Sequence, residues 1–295
     1  MNRILCIDIG GTRIKSAILW DNMDLDSLKD TKIEIIRSLG WLNSSLPQII
    51  SKTHPYSLVN KNSNLGNYNS ISLSVPAKII NSDMEILGHH IEKRGLPKNL
   101  KKSIEDEANC EVFICNDAVC WLSGSISYCS LCSISIDFPC LLITLGTGVG
   151  AAFSKHINHI EDLEISNVHG RFPQLSKASN QVIDTGWKVH ACLGEKYFNW
   201  VKNEQKHWTY LKIQEDYNNK VLSFLLDIKQ KNLADFESIK TIFIGGGNAD
   251  YLNNDVLSSS LNKNVYVLSS SNLQINPDVI PLLGLTKLAP IENTP

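Results

Sequence analysis

Four short segments of this chain place glycines beside carboxylate or hydroxyl side chains in patterns that suit phosphate chemistry. The first is Asp8-Ile9-Gly10-Gly11-Thr12. Two glycines in a turn let backbone N–H groups approach an anion closely, and Thr12 adds a hydroxyl donor. Asp8, at the end of the preceding apolar run, can hold Mg2+ directly or through water beside the phosphates. An ordinary β-hairpin explains a Gly-Gly pair equally well, so this segment decides nothing alone. The second, Leu145-Gly146-Thr147-Gly148-Val149-Gly150, repeats the same chemistry. It also fits the dinucleotide fingerprint as Gly146-x-Gly148-x-x-Ala151, with Glu164 about where a ribose-binding acid would lie. That fingerprint needs a helix after its glycines, whereas Val149–Phe153 reads as a strand. No Gly-x-x-x-x-Gly-Lys-Ser/Thr occurs, so a nucleotide site here is not of the Walker type. Third, Asn116-Asp117 falls between an apolar strand and a helix. Asp117 reads as a plain N-cap, or as a general base taking a proton from an acceptor hydroxyl during attack on a γ-phosphate. Fourth, Gly245-Gly246-Gly247 follows an apolar strand and offers bare backbone for a flat adenine or ribose. A glycine triplet alone carries little weight.

The elements that must position these segments are legible from periodicity. Arg3–Ile9 and Arg13–Trp20 read as a β-hairpin, with Lys32–Arg37 a third strand. A helix is expected over Ser44–Thr53, a loop over Asn60–Asn69, a strand over Ser70–Val75 and a helix over Pro97–Ala108. The strand Glu111–Cys115 then leads into a helix at Asn116-Asp117, because Asn or Asp before an apolar run is an N-cap signal. The pattern restarts with strand Cys140–Leu145, a glycine turn and strand Val149–Ser154. After an irregular stretch come a helix over Trp208–Lys231, a strand over Thr241–Ile244 and a helix near Tyr251–Leu261. A strand at Val265–Leu268 and a helix from about Asp278 close the chain. Each half opens with strand, Gly/Thr turn and returning strand, a weak internal repeat. Two α/β lobes facing one cleft are expected.

Composition sets outer bounds. A chain of 295 residues accommodates two lobes, and a hydrophobic fraction of 43% supports a buried core. The net charge of −2 comes from scattered charges, so neither nucleic acid nor an anionic membrane is an expected partner. Asp8 interrupts the first apolar stretch before a signal peptide could develop. Cys140–Phe153 is apolar but shorter than the roughly 18 residues of a membrane-spanning helix. A soluble, cytoplasmic protein is expected. Eight cysteines lie mostly inside apolar runs and read as buried thiols of a reducing compartment. Only Cys129-x-x-Cys132 has metal spacing, and it lacks the second pair that a structural zinc site needs.

In this order and spacing the four segments resemble the ROK family of sugar kinases, within the actin/hexokinase superfamily. Asp8–Thr12 is similar to the phosphate-1 motif, Asn116-Asp117 to the catalytic segment and Leu145–Gly150 to phosphate-2. Ile244–Gly247 is similar to the adenosine motif, and Leu282–Ala289 to the terminal helix that returns to the first lobe. Ser74-Val75-Pro76-Ala77 stands where the family usually has a Pro-Gly segment. The stretch around Leu193–Tyr210, with Trp200 and Trp208, resembles the polyphosphate-type glucokinases. The resemblance implies two actin-like (ribonuclease H-like) lobes with mixed β-sheets flanked by helices around a central cleft. Residues 1–118, completed by a helix over 279–295, would form the first lobe and 119–278 the second. It implies a homodimer and an ATP-dependent transfer of a γ-phosphate to a sugar hydroxyl. Asp8 would act on Mg2+ and Asp117 as base. Gly10, Gly11, Thr12, Lys15, Gly146, Thr147 and Gly148 would grip phosphates, and Gly245, Gly246 and Gly247 the nucleotide. Asn116 would face the sugar.

The departures lie on the sugar side. The family's Glu-x-Gly-His segment after phosphate-2 has no counterpart in the stretch from His159 to Gly170. One alignment puts Glu161-Asp162 where Gly-His should stand; another puts Glu164 and Asn167 in the Glu and His positions. Glu164 and His169 are the expected substrate contacts, and His156, His159, His89 and His90 read as solvated or substrate-side. The family's zinc loop is absent, so no structural zinc is expected. A buried pair that recognises hydroxyls sets selectivity strongly, so its loss points to an altered acceptor. A polyphosphate-dependent glucokinase, a sugar sensor without catalysis and an actin-like scaffold are the competing readings. Family repressors carry a helix-turn-helix before the first strand, and this sequence opens on that strand.

Overall fold

The computed structural model describes residues 2–10, 13–37, 68–76, 100–108, 110–154, 165–167, 193–231 and 233–288. The expected helix over Ser44–Thr53 and the segments holding Gly11, Thr12, His89, His90, His156, His159, Glu164 and His169 lie outside these residues. The fold is mixed α/β, with two mixed five-stranded sheets flanked by helices. The chain divides into two compact units, residues 1–132 with 278–295, and residues 133–277.

In the first unit the strands are β1 (Arg3–Ile9), β2 (Arg13–Trp20), β3 (Glu34–Arg37), β4 (Ser70–Val75) and β5 (Glu111–Asn116), in the order β3-β2-β1-β4-β5. β2 runs antiparallel to both β1 and β3, and β4 and β5 join β1 in parallel. A short helix, α1 (Leu25–Lys29), follows β2, and α2 (Leu100–Ala108) precedes β5. Two further helices among the described residues belong to the unit, α3 (Asp117–Leu131) and α8 (Val279–Leu288).

Strand alternation gives this sheet two unlike faces. Leu5, Ile7, Ile9, Ile71, Leu73 and Val75 point one way and form an apolar cluster with Leu100 and Ile104 of α2. Cys6, Asp8, Ala17, Ser70, Ser72 and Ser74 point the other way, small or polar yet buried. Helices α3 and α8 pack on each other with almost no side chain between them. A Cβ on Gly124 would stand 1.8 Å from the carbonyl oxygen of Ile280, and one on Gly284 1.9 Å from that of Cys120. Every residue of α3 from Ala118 to Cys129 is buried, so its serines need internal partners. Ser125 and Ser127 donate to the carbonyls of Trp121 and Ser123, one helical turn back.

The second unit holds β6 (Cys140–Leu145), β7 (Val149–Ser154), β8 (Ile165–Asn167), β9 (Thr241–Gly245) and β10 (Asn264–Val267), in the order β10-β9-β6-β7-β8. Its helices among the described residues are α4 (Glu195–Glu204), α5 (Tyr210–Lys231), α6 (Leu233–Ser238) and α7 (Asn254–Leu261). Its core joins Leu141, Ile143, Phe153, Tyr217, Phe236 and Ile244. Trp200 and Trp208 meet edge to face at 5.7 Å and lean on this core, which gives both a packing role.

Most expected elements occur among the described residues, α1 and α6 are additional to them, and three other differences have a physical reason. Helix α4 lies in a stretch read as irregular; its N-cap Gly194 makes no side-chain capping bond, so the sequence carries no start signal. The helix expected from Tyr251 starts at Asn254, because Asn253 caps it by accepting from Asp255 N and Val256 N. The boundary between units falls after Cys132, not after residue 118, since α3 packs on α8 inside the first unit.

Candidate functional site

Sheet register builds a carboxylate cluster within the first unit. Asp8 lies opposite Lys15 on β2 and beside Ser74 on β4, and Ser74 pairs in turn with Cys115 on β5. Cross-strand neighbours share a face, so Lys15, Asp8, Ser74 and Cys115 form one row at the end of the sheet. Asp8 is only 4% exposed. The Ser74 hydroxyl donates to its Oδ1 at 2.7 Å. Lys15 Nζ stands 3.7 Å from its Oδ2, beyond hydrogen-bond range, and 2.8 Å from Oδ1 of Asp278. The same ammonium lies 5.9 Å from the centre of the Trp121 ring on α3. Burial pushes the Asp8 carboxyl up; Lys15 and Ser74 draw it back, and Asp278 opposes them.

Asp117 follows β5 directly and is the first residue of α3. Capping falls to Asn116, whose side-chain oxygen accepts from Ala118 N at 3.1 Å and Val119 N at 3.3 Å. This corrects the reading of Asp117 as the cap. It also gives Asn116, expected to face the sugar, a structural duty for its oxygen. Asp117 Oδ1 accepts from Ala118 N at 2.8 Å. Burial, and next the nearby Asp8 charge, push the Asp117 carboxyl up to about 7. The Asp8 charge raising Asp117 puts the two carboxyls within electrostatic reach of each other, as groups facing one cation must be.

The residues present fit Mg2+. That ion keeps several waters and is held by one or two carboxylates together with phosphate oxygens, which is what Asp8 and its neighbour offer. Among the described residues no group of three or more His, Cys, Asp or Glu side chains forms an all-protein metal cage.

The other unit carries its own glycine turns. β6 turns into β7 through Gly146-Thr147-Gly148, with Gly146 N donating to Gly148 O at 2.9 Å. The segment after these glycines is a strand antiparallel to β6, so the helix of a dinucleotide fold is not there. A Cβ at Gly146 would meet no atom within 4 Å, and Thr147 is exposed. The three glycines after β9 differ among themselves. Gly245 is buried at the strand end. Gly246 has φ +99°, and a Cβ there would stand 2.5 Å from Leu145 O, so it must be glycine for β9 to close on β6. Gly247 alone is exposed with open space around it. Asn248, which sequence reasoning passed over, ties the two turns together: its amide donates to Gly146 O at 3.0 Å and Leu193 O at 3.4 Å.

Sequence reasoning also missed Ser74 as a partner of Asp8, Trp121 as the floor under Lys15, and Asp278 as the ion-pair partner of Lys15. Asp278 carried a faint signal, an acid directly before an apolar helix. Nothing in the sequence tells that Ser74 and Asp8 are neighbours.

The sequence model of the ROK family matches residues 4–159. No curated protein sequence matches the chain. Solved structures with the same fold include a ROK family glucokinase from Streptomyces griseus in complex with glucose and AMPPNP (13% identity, TM-score 0.62, covering 97% of this chain and 98% of that one). Another is the inorganic polyphosphate/ATP-glucomannokinase from Arthrobacter sp. strain KM (17% identity, TM-score 0.58, 97% of both chains). A third is a ROK family transcriptional regulator, a homolog of the E. coli MLC protein (12% identity, TM-score 0.57, 97% of this chain and 77% of that one).

Proposed function

Because the chain belongs to the ROK family, we propose that it is a Mg-ATP-dependent kinase acting on a hydroxyl of a sugar or sugar-like acceptor. The observation that carries this reading is Asp117. It sits at the first turn of α3, relieved of capping by Asn116, with its carboxyl pushed up to about 7. A base poised there takes a proton from an alcohol efficiently near neutral pH. As the acceptor oxygen bonds to the γ-phosphorus, Asp117 receives its proton and the bond to the β–γ bridging oxygen breaks, leaving ADP. Bound Mg2+, held through Asp8, supplies charge neutralisation on the phosphates. Gly11, Thr12 and Lys15 would contribute donors to the phosphates from the first unit, and Thr147 and Gly148 from the second, while Gly10 and Gly146 close their turns by donating to Arg13 O and Gly148 O and leave room for the anion. The open backbone at Gly247 takes the nucleoside. Asn116, Glu164 and His169 are the proposed acceptor-side residues.

The test is a panel of hexoses, amino sugars and polyols, supplied with Mg-ATP and separately with Mg-polyphosphate, read by donor consumption and product mass. One acceptor should stimulate consumption of ATP, and Asp117→Asn should abolish transfer while leaving ATP binding largely intact. Undiminished turnover in that variant would remove Asp117 from its role. Faster turnover with polyphosphate would change the donor. An inert panel with intact sugar binding would make the protein a sensor.

A further inference from the structure

Asp278 stands outside every motif discussed above, yet it makes the shortest contact of the Lys15 ammonium. It immediately precedes α8 and pairs with Lys15 at 2.8 Å, whereas Asp8 lies at 3.7 Å from the same nitrogen. The first distance is that of a charge-assisted hydrogen bond; the second is not. Lys15 and Asp278 are both partly screened, with side chains 14% and 25% exposed, while the Asp8 side chain is 6% exposed. Lys15 and Asp8 are direct cross-strand partners, so nothing in the sheet keeps them apart. Asp8 receives a neutral hydroxyl from Ser74 on one oxygen. Its other oxygen faces an ammonium that stays ion-paired to it at 3.7 Å while hydrogen-bonding to another carboxylate at 2.8 Å.

We propose that Asp278 is a positioning residue: it draws the Lys15 ammonium off Asp8 and so leaves the Asp8 carboxylate free to engage a divalent cation. The inference rests on the reading of Asp8 as the metal carboxylate. An ammonium seated on Asp8 and a divalent cation compete for the same charge, because each relieves the burial of one carboxylate beside another. Asp278 biases that competition toward the divalent ion. The C-terminal helix thereby has a direct part in the chemistry of the N-terminal strand pair.

The experiment is Mn2+ binding to the purified full chain, followed by the electron paramagnetic resonance of free Mn2+, alongside the Mg2+ dependence of turnover. Asp278→Asn keeps the shape and removes the charge; Lys15 then closes on Asp8, and the Mn2+ dissociation constant rises about tenfold. Lys15→Met added to Asp278→Asn removes the competitor and restores Mn2+ affinity to the wild-type level or better. Asp278→Glu, which keeps the charge, retains most of the wild-type affinity. A purely structural role for Asp278 would leave the double variant as weak as the single one, and that result overturns the proposal. Unchanged Mn2+ affinity in Asp278→Asn overturns it too. Absence of Mn2+ binding in the wild type removes the metal role of Asp8 and this inference with it, whereas normal wild-type binding with an unaltered Asp278→Asn removes the inference alone. Thermal unfolding of each variant, which should stay cooperative, shows that the binding is read on folded protein.

Discussion

Asp117, the proposed base, is held by the fold in a form that costs stability. Its carboxyl is pushed from an ordinary value of 3.8 up to about 7 by burial and by the Asp8 charge. Between those two values the folded chain keeps a proton that the unfolded chain has released. Stability therefore falls as pH rises across that window, and above it the ionised side chain is a net cost. In the absence of Mg2+ and nucleotide, Asp117→Asn should gain stability relative to wild type between pH 4 and pH 8, by on the order of a few kcal/mol. Thermal unfolding at the two pH values checks this; a variant destabilised equally at both would contradict the burial argument. On the proposed role the rate has the opposite sense, because a base acts only when deprotonated. The rate should climb with pH through a limb at or somewhat below 7, since a Mg2+ held at Asp8, as proposed, would offset part of the repulsion. A pH–rate profile flat from pH 5 to 8 would remove Asp117 as the titrating group.

At the scale of elements, the placement of the site depends on how closely two helices approach. α3 carries Asp117 at its first residue and α8 follows directly on Asp278, and both are fixed by the crossing at Gly124 and Gly284. A methyl group at either glycine would collide with backbone, which has no rotamer by which to yield. Gly124→Ala and Gly284→Ala should each cost about 3 kcal/mol or more, beyond the usual range for an overpacked side chain. They should lower transfer activity as well, since the helix ends carrying Asp117 and Asp278 would shift. Urea unfolding gives the first quantity and turnover the second; a stable, fully active Gly124→Ala would show that the helices can separate freely. The serine-rich face of β4 fits the same picture. Small side chains at Ser70, Ser72 and Ser74 leave room for helices on that side, while Ile71, Leu73 and Val75 fill the other.

For the whole molecule, two units each contribute one Gly/Thr turn after an apolar strand, and the ROK family match spans both turns. Ligand that binds only the folded chain must stabilise it in proportion to its occupancy. With Mg2+ and a non-hydrolysable ATP analogue at roughly 100 times the dissociation constant, the gain should be about 2.7 kcal/mol. Differential scanning calorimetry with and without the analogue measures it. No shift with any nucleotide would argue that the glycine turns do not hold one. Among the described residues no helix is long and apolar enough to cross a membrane.

Local pattern was enough to reveal the strands that carry Asp8, the Asn116-Asp117 junction and both glycine turns, because each is written in a few consecutive residues. Alternation marked β1, β2, β4, β6 and β7, and a carboxylate at a strand end marks itself. What no local pattern holds is register. That Asp8 meets Ser74 across a parallel pair, that Asn116 rather than Asp117 caps α3, and that Asp278 reaches Lys15 all depend on contacts between residues far apart in the chain. The glycines show the same divide. Their presence announced two turns, but only packing separated Gly246, which must be glycine to fit against Leu145, from Gly247, which is left open to a ligand. The sequence by itself determined which chemistry is available; the tertiary structure decided which groups share a charge, because electrostatic partnership depends on distance in space and not along the chain.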